Sequence, residues 1–315
     1  MTAPSAKVIC DSISPEGVRV TTVQAVIHRF ILAEVDTHRV FSRNSASSRA
    51  IPVAKQLEKF RTDLALPVSW PAEQKGMSGG AELVGDDLTE AFTLFSEVHR
   101  HTLAEIKRYV ERHPEPEHRL HKSLINRLME WGQWHTVVIT STAWDNFYGL
   151  RLSPAAQPEF RVVAAEIAKA REASTPRFID YGMWHLPYID EEDVRAAEEY
   201  LHHTVGVFGR HTVTKLLVKM SAARVARTSY ETMDGKRDPG EDVGLYDKLT
   251  SAHPMHSSPL EHPCTPSPYN QHQVEVPHLG TDESMVLTLP KYGNFLGWHQ
   301  HRFDVEVARQ YQAFA

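Results

Sequence analysis

Cysteine is scarce, with only Cys10 and Cys264 in 315 residues. So few thiols exclude a disulfide framework and fit a reducing compartment, where both stay reduced. No Cys-x-x-Cys and no His-Glu-x-x-His frame occurs, so the usual zinc spacings are missing. No uninterrupted apolar run approaches membrane-spanning length, and the opening MTAPSAKVICDSIS has no apolar stretch behind a basic start. A cytoplasmic protein that uses no membrane is the expectation. Positive charge is in deficit as well, at 34 Lys and Arg against 40 Asp and Glu, a formal net charge of −6. That balance argues against a nucleic-acid polymer as partner, which would call for a basic stripe. Internal repeats and low-complexity segments are also missing.

Against this background one stretch stands apart. Thr37 to Pro52, THRVFSRNSASSRAIP, holds His38, Arg39, Arg43 and Arg49, and no acid follows until Glu58. A local basic pocket in an acidic protein points to a small anion. If a helix running from FILAEVDTHRVF ends near Asn44, then Ser45, Ser47 and Arg49 alternate in an extended segment and share one side. Two hydroxyls and a guanidinium suit a phosphate, since Arg gives forked, charge-assisted hydrogen bonds worth roughly 1.5–3 kcal/mol each. A solvated Ser/Arg loop fits the pattern equally well.

The rest of the chain reads as a mixed α/β protein whose length allows one large domain or two intimate ones. KVICDSI and VRVTTVQAVIHRF flank the turn Ser14-Pro15-Glu16-Gly17, which predicts an N-terminal hairpin. In FILAEVDTHRVF, Ile31, Leu32 and Val35 suit one side of a helix. Asp87 and Glu90 form a capping-box pattern ahead of Leu88, Phe92, Phe95, Ile106 and Val110, a helix that Pro114 stops. Leu120, Leu124, Leu128 and Trp131 predict a second helix, TVVITST a short strand and AWDNFYGLRL a helix entered from Thr142. Ser153-Pro154 reads as an N-cap with proline at the first helical position, leading a helix with Phe160, Val163 and Ile167 inward. Helix is predicted from about Glu191 to Arg227, broken near Gly206 and Gly209. SMVLTLP is a late strand in a loop-rich tail.

Four segments together resemble the flavin-dependent thymidylate synthases, the ThyX family. THRVFSRNSASSR carries His38, Arg39, Asn44, Ser47 and Arg49 of that family's Arg-His-Arg motif and its continuation. NFYGLRLSPAAQPEF supplies Asn146, Leu150, Arg151, Gln157 and Glu159. Arg227-Thr228-Ser229-Tyr230 and Ser258-Pro259-Leu260-Glu261-His262 match the two remaining segments. In the family those two precede the Arg-His-Arg motif, whereas here they follow everything else, as in a circular permutation. Such a permutation keeps a fold whose old termini lie close together.

The resemblance implies one ThyX-like domain over 1–315: a hairpin and His-Arg motif in 1–52, a helical middle in 85–205, and the permuted flavin segments in 206–315. The implied fold is an antiparallel or mixed sheet with a helical bundle. It implies FAD contacts from His38, Arg39, Asn44, Asn146, Ser229, Ser258 and Glu261. It implies pyrimidine-nucleotide contacts from Ser45, Ser47, Arg49 and Arg151, with Arg151 and Ser47 as the catalytic residues at the reacting base. The implied reaction is C5 methylation of dUMP to dTMP, with NADPH and methylenetetrahydrofolate as co-substrates, in a homotetramer whose sites are shared between chains.

The chain departs from the family pattern at Thr37, Ser45, Glu34 and Ala155, and Thr140-Ser141-Thr142 replaces the usual Asn-x-Arg. These changes thin the flavin and phosphate contacts. They open an alternative, a related modification such as hydroxymethylation of another pyrimidine nucleotide like dCMP. Rival classes remain beside it. Cys264 in EHPCTP offers a thiolate nucleophile. Nineteen histidines, with close pairs at His99/His101, His118/His121 and His202/His203, offer a metal-dependent hydrolase. A non-catalytic nucleotide-binding descendant is the third.

Overall fold

β-Branched residues on both sides of Ser14-Pro15-Glu16-Gly17 form the hairpin that they predict. It appears in a computed structural model that describes residues 2–230, 237–267, 271–277, 284–290 and 293–313. Strand β1 (Ser5–Ile13) pairs antiparallel with β2 (Arg19–His28). The turn closes through Gly17 N–H to Ser14 O at 2.9 Å, with Gly17 at φ +76°, a conformation that glycine adopts without strain.

Helix α1 (Leu32–Asp36) stops after five residues, so the predicted helix does not reach Asn44. The chain instead enters β3 (Ser42–Ser45). This strand has no apolar alternation, and its pairing to a partner distant in sequence overrides local preference. After it come α2 (Val53–Thr62), α3 (Gly85–Arg112), α4 (Lys122–Ile125) and β4 (Trp134–Ser141). Helix α3 starts ahead of the Asp87/Glu90 pattern, from Val84 with no side-chain cap, and Asp86 and Asp87 lie in its first turn. The predicted Leu120 to Trp131 helix is only α4 followed by a 3-10 stretch, Asn126–Gly132. Leu120, Leu124 and Leu128 are exposed, while Ile125 and Met129, one position on, are buried with Phe60 and Ile106. The apolar spacing was real, but the buried stripe is its neighbour.

Helices α5 (Asp145–Arg151) and α6 (Pro158–Glu172) come next. The latter begins at Pro158 with Gln157 as N-cap, not at Ser153-Pro154, which lies in the preceding turn. Proline at the first helical position was the right signal applied to the wrong proline. Short strand β5 (Arg177–Phe178) then completes a sheet of order β3-β4-β2-β1-β5, antiparallel except for β1 with β5. The two faces of this sheet differ in chemistry. Val23, Ala25, Ile27, Val137 and Ile139 pack on Phe160, Val163, Ala164 and Ile167 of α6 and on Phe41, Trp144 and Phe147. The other face carries Thr22, Ser42, Asn44 and Thr140, all buried.

That polar face is covered by the C-terminal half. Helices α7 (Glu191–Thr204) and α8 (Arg210–Arg227) are separate at Gly206 and Gly209, as predicted. Asp190 and Asp193 give α7 a capping box. The second half of α8 is buried all round, so it lacks an amphipathic pattern. Helix α9 (Pro239–Ser251) packs against it through buried charge. The Asp242 carboxylate takes Arg224 Nε at 2.9 Å and Arg227 Nη2 at 2.7 Å, and Arg224 Nη1 also pairs with Asp193 at 2.7 Å. Strands β6 (Cys264–Pro266), β7 (Gln271–Pro277), β8 (Ser284–Pro290) and β9 (Trp298–Gln300) form two hairpin-like pairs, β6 with β9 and β7 with β8, and α10 (His301–Ala313) ends the chain. SMVLTLP is the strand it was predicted to be.

Candidate functional site

Strand β3 is an edge strand, and its alternation divides the opening motif between the two faces of the sheet. Arg43 and Ser45, opposite Ile139 and Val137, face the α6 side. Ser42 and Asn44, opposite Thr140 and Val138, face the C-terminal half.

Asn44 is the junction of the second group. Its amide donates to Val225 O at 2.7 Å and to Ser229 Oγ at 3.3 Å, and its carbonyl accepts from Ser258 Oγ at 3.2 Å. Ser47 N–H reaches Ser229 O at 3.0 Å. Three segments that resemblance singles out, those of Asn44 and Ser47, of Ser229, and of Ser258, therefore meet at one point. Ser229 follows the C-terminus of α8, whose Arg227 is fixed by Asp242, so buried charge sets where Ser229 stands. Ser258 opens the 3-10 turn Ser258–Glu261, which Pro259 and Leu260 anchor in the core.

Glu261 closes the same segment. Its backbone carbonyl accepts from Gln300 Nε2 at 2.8 Å, and the same amide donates to Ser42 Oγ at 2.8 Å. Its carboxylate pairs with Arg302 Nη1 at 2.6 Å, and Arg302 also holds Glu306. Ser42, Gln300 and Arg302 were not expected from sequence. Ser42 lies inside the Thr37–Pro52 stretch without having been singled out there, while Gln300 and Arg302 lie about 40 residues from Glu261, where no local pattern marks them.

The first group sits across the strand. His38 is buried among Phe41, Phe147 and Phe160, and its Nε2 accepts from Arg151 Nε at 2.9 Å. Burial first, then the Arg151 and Arg43 charges, pull the imidazole pKa down to about 4, so the ring is neutral at pH 7. Arg151, the last residue of α5, also donates through Nη2 to Thr37 Oγ1 at 3.1 Å and lies over the Phe160 ring at 4.4 Å. Thr37 thus has a role in holding Arg151. Arg43 Nη1 donates to Val35 O and His38 O, tying the loop that carries His38.

The remaining motif residues face outward. Arg39, Arg49 and Asn146 are exposed, and neither Arg39 nor Arg49 has an ion-pair partner among the described residues. The Ser45, Ser47, Arg49 alternation does not continue as one edge. Ala50 N–H bonds Ser47 O at 3.0 Å, so the chain turns after Ser47 and Arg49 projects from the turn.

Residues of the rival classes are committed elsewhere. Cys264 is fully buried beside Val20, Ile179, Phe295 and Trp298, and burial raises its thiol pKa well above the ordinary value. A thiol in that setting is not a ready nucleophile. His99 Nε2 bonds Phe60 O at 2.7 Å, and the His121 side chain caps α4 by accepting from Ser123 N–H. Among the described residues no three His, Cys, Asp or Glu side chains group as metal ligands, and no helix is long and apolar enough to cross a membrane.

No family model matches the sequence, and no curated protein matches it. Among solved structures the chain is similar to the UMP/dUMP methylase PolB from Streptomyces cacaoi in its complex with 5-Br UMP, at 13% identity and a TM-score of 0.43 over 54% of this chain and 89% of that one. In its complex with 5-Br dUMP the values are 13% and 0.39, over 54% of this chain and 90% of that one.

Proposed function

We propose that the protein is a flavin-dependent enzyme of the ThyX type that alkylates a pyrimidine nucleotide at C5, with dUMP as the leading substrate. The observation that carries this reading is the Asn44 junction, where segments resembling three separate motifs of that family, in permuted order, hydrogen-bond to one another. A permuted chain that had lost the ancestral arrangement has no reason to rebuild that meeting point.

The residues fit an anionic cofactor and substrate. Arg39 and Arg49 are exposed guanidinium groups without ion-pair partners among the described residues, which suits the diphosphate of FAD and a nucleotide phosphate. Ser229 and Ser258 offer hydroxyls at the Asn44 junction. Asn44 is satisfied by protein partners and acts by fixing those two serines. His38 is covered in this chain and acts by fixing Arg151. Once bound and reduced by NADPH, the flavin supplies hydride to complete the one-carbon unit that methylenetetrahydrofolate donates.

Arg151 keeps Nη1 without a hydrogen bond to any described residue, while its other nitrogens are held. A guanidinium aligned in this way stabilises negative charge developing on a pyrimidine ring. Arg151 ends α5 beside His38 and Arg49 stands in the turn after Ser47, so a nucleotide touching both reaches from one segment to the other, or lies between chains of a homotetramer that share their sites. The experiment is incubation of the purified, FAD-supplemented chain with NADPH, methylenetetrahydrofolate and either dUMP or dCMP, followed by mass spectrometry of the nucleotide. A mass gain of one methyl on dUMP is expected. Absence of flavin binding, or of any C5 product from either nucleotide, overturns the proposal.

A further inference from the structure

The polar face of the sheet carries a line of hydroxyls and imidazoles that the proposed function leaves unused. Ser12 Oγ lies 2.9 Å from His185 Nδ1, and His185 Nε2 lies 2.8 Å from Thr22 Oγ1. Thr22 Oγ1 lies 2.6 Å from Thr140 Oγ1, which lies 2.8 Å from His262 Nδ1. All five side chains are fully buried. His262 Nε2, at the far end, has no hydrogen-bond partner among the described residues although solvent does not reach it. His262 directly follows Glu261, so this open nitrogen belongs to the segment that Ser258 joins to Asn44. At the other end Ser12 shares a face of β1 with Cys10, two residues away, whose side chain is partly exposed.

Counting protons restricts this line severely. A neutral imidazole has one N–H and one lone pair, and a hydroxyl has one O–H. Burial pulls both imidazole pKa values down to about 3, so both rings are neutral at pH 7. Four bonds in series then have two complete arrangements. In one, donation runs from Ser12 through His185, Thr22 and Thr140 to His262 Nδ1, and His262 presents Nε2–H. In the other every bond is reversed, and His262 presents a lone pair. A mixed arrangement leaves either two lone pairs facing each other or a buried O–H without an acceptor.

We infer that this line is a proton relay ending at His262 Nε2, which makes His262 a proton-exchanging member of the candidate site and Thr22 and Thr140 its positioning residues. The inference goes beyond the proposed function and holds whichever ligand the site takes. The step balances as one proton in and one out. A proton passes from a bound group to His262 Nε2, and the Nδ1 proton moves to Thr140. The Thr140 proton moves to Thr22, that of Thr22 to His185 Nε2, and that of His185 Nδ1 to Ser12. Ser12 passes its own to Cys10, whose original S–H proton leaves to water. No ring ends charged, and both histidines change tautomer together.

The test begins with nitrogen-15 NMR of histidine-labelled full chain. His185 and His262 are expected to be neutral at pH 7 and in the same tautomer, both Nε2–H or both Nδ1–H. Opposite tautomers, or a charged ring, overturn the relay without any variant. The second measurement cuts the line with Thr140→Val, which keeps shape and removes the hydroxyl. Exchange of the His185 and His262 ring protons with solvent should slow tenfold or more, and Thr140→Ser should restore it. Unchanged exchange in a Thr140→Val chain with wild-type amide protection overturns the relay. If Thr140→Val does not fold, Thr22→Val with Thr22→Ser makes the same comparison.

Discussion

Asp242→Asn is the sharpest probe of how the candidate site is held. The carboxylate is fully buried and serves two guanidinium groups, Arg224 Nε at 2.9 Å and Arg227 Nη2 at 2.7 Å. The substitution is nearly isosteric, so packing changes little and the lost charge dominates. Arg224 keeps Asp193 at 2.7 Å and the Tyr188 carbonyl at 2.8 Å. Among the described residues Arg227 keeps only a half-exposed Glu241 carboxylate at 3.8 Å, too far for a hydrogen bond. One buried cation is thus stranded. Removing one partner of a buried pair costs about 3–5 kcal/mol, a large share of a typical 5–15 kcal/mol total. In urea denaturation followed by tryptophan fluorescence, a slope of about 3 kcal/mol per molar turns this into a midpoint lower by 1 M or more. The double variant Arg227→Met with Asp242→Asn removes the stranded charge and should recover at least half of the loss. A single variant within about 1 kcal/mol of wild type, or a double variant no better than the single, refutes the reasoning.

Three further outcomes follow from the same structure. His38 is held down to about pKa 4, and His135, His185 and His262 to about 3, each by burial first. Their unfolded forms protonate near pH 6.5, so the stability they contribute is complete above that pH and falls as pH drops toward 4. At pH 5.5 unfolding should take up about four protons from these groups, and pH-dependent urea midpoints that are flat between 7 and 5 would contradict it. Arg49→Ala should weaken dUMP binding about tenfold or more, through loss of one charge-assisted bond, with FAD affinity less affected. Calorimetry with an unchanged nucleotide dissociation constant would remove Arg49 from the site. Burial raises the Cys10 thiol to about 11 and the Cys264 thiol well above its usual value. Neither should react with a thiol reagent at pH 8 in the folded chain, and Cys264→Ala should bind flavin as wild type does.

Parts of this structure were legible in the sequence, for identifiable reasons. The hairpin announced itself because β-branched residues flank a four-residue turn signal, and such a turn closes locally. The break between α7 and α8 was legible because Gly206 adopts φ +84°, a conformation that sequence flags through glycine itself. Strand β3 was not legible, since Ser42–Ser45 owes its conformation to β4, nearly a hundred residues on. The Leu120 spacing misled because exposed and buried stripes alternate on a short turn, and only packing tells them apart. That the motif residues Asn44, Ser229 and Ser258 come together was legible through resemblance. The division of the opening motif between two faces of the sheet was not, nor was the pairing of Glu261 with Arg302, because each depends on contacts between distant segments.

The Asn44 junction also carries a consequence for the order in which the molecule assembles. Its three side-chain bonds join residues 181, 185 and 214 positions apart. Contacts of that separation carry the largest loop-closure entropy and form late, whereas the β1–β2 hairpin closes locally and early. During synthesis from the N-terminus, Asn44 therefore waits until Ser229 and Ser258 have emerged before its amide is satisfied. The hairpin, β4 and α6 are made first and the segments of Ser229 and Ser258 last. A nascent chain ending before Ser258 holds most of the sheet yet cannot complete the junction, which closes only with the final fifth of the sequence.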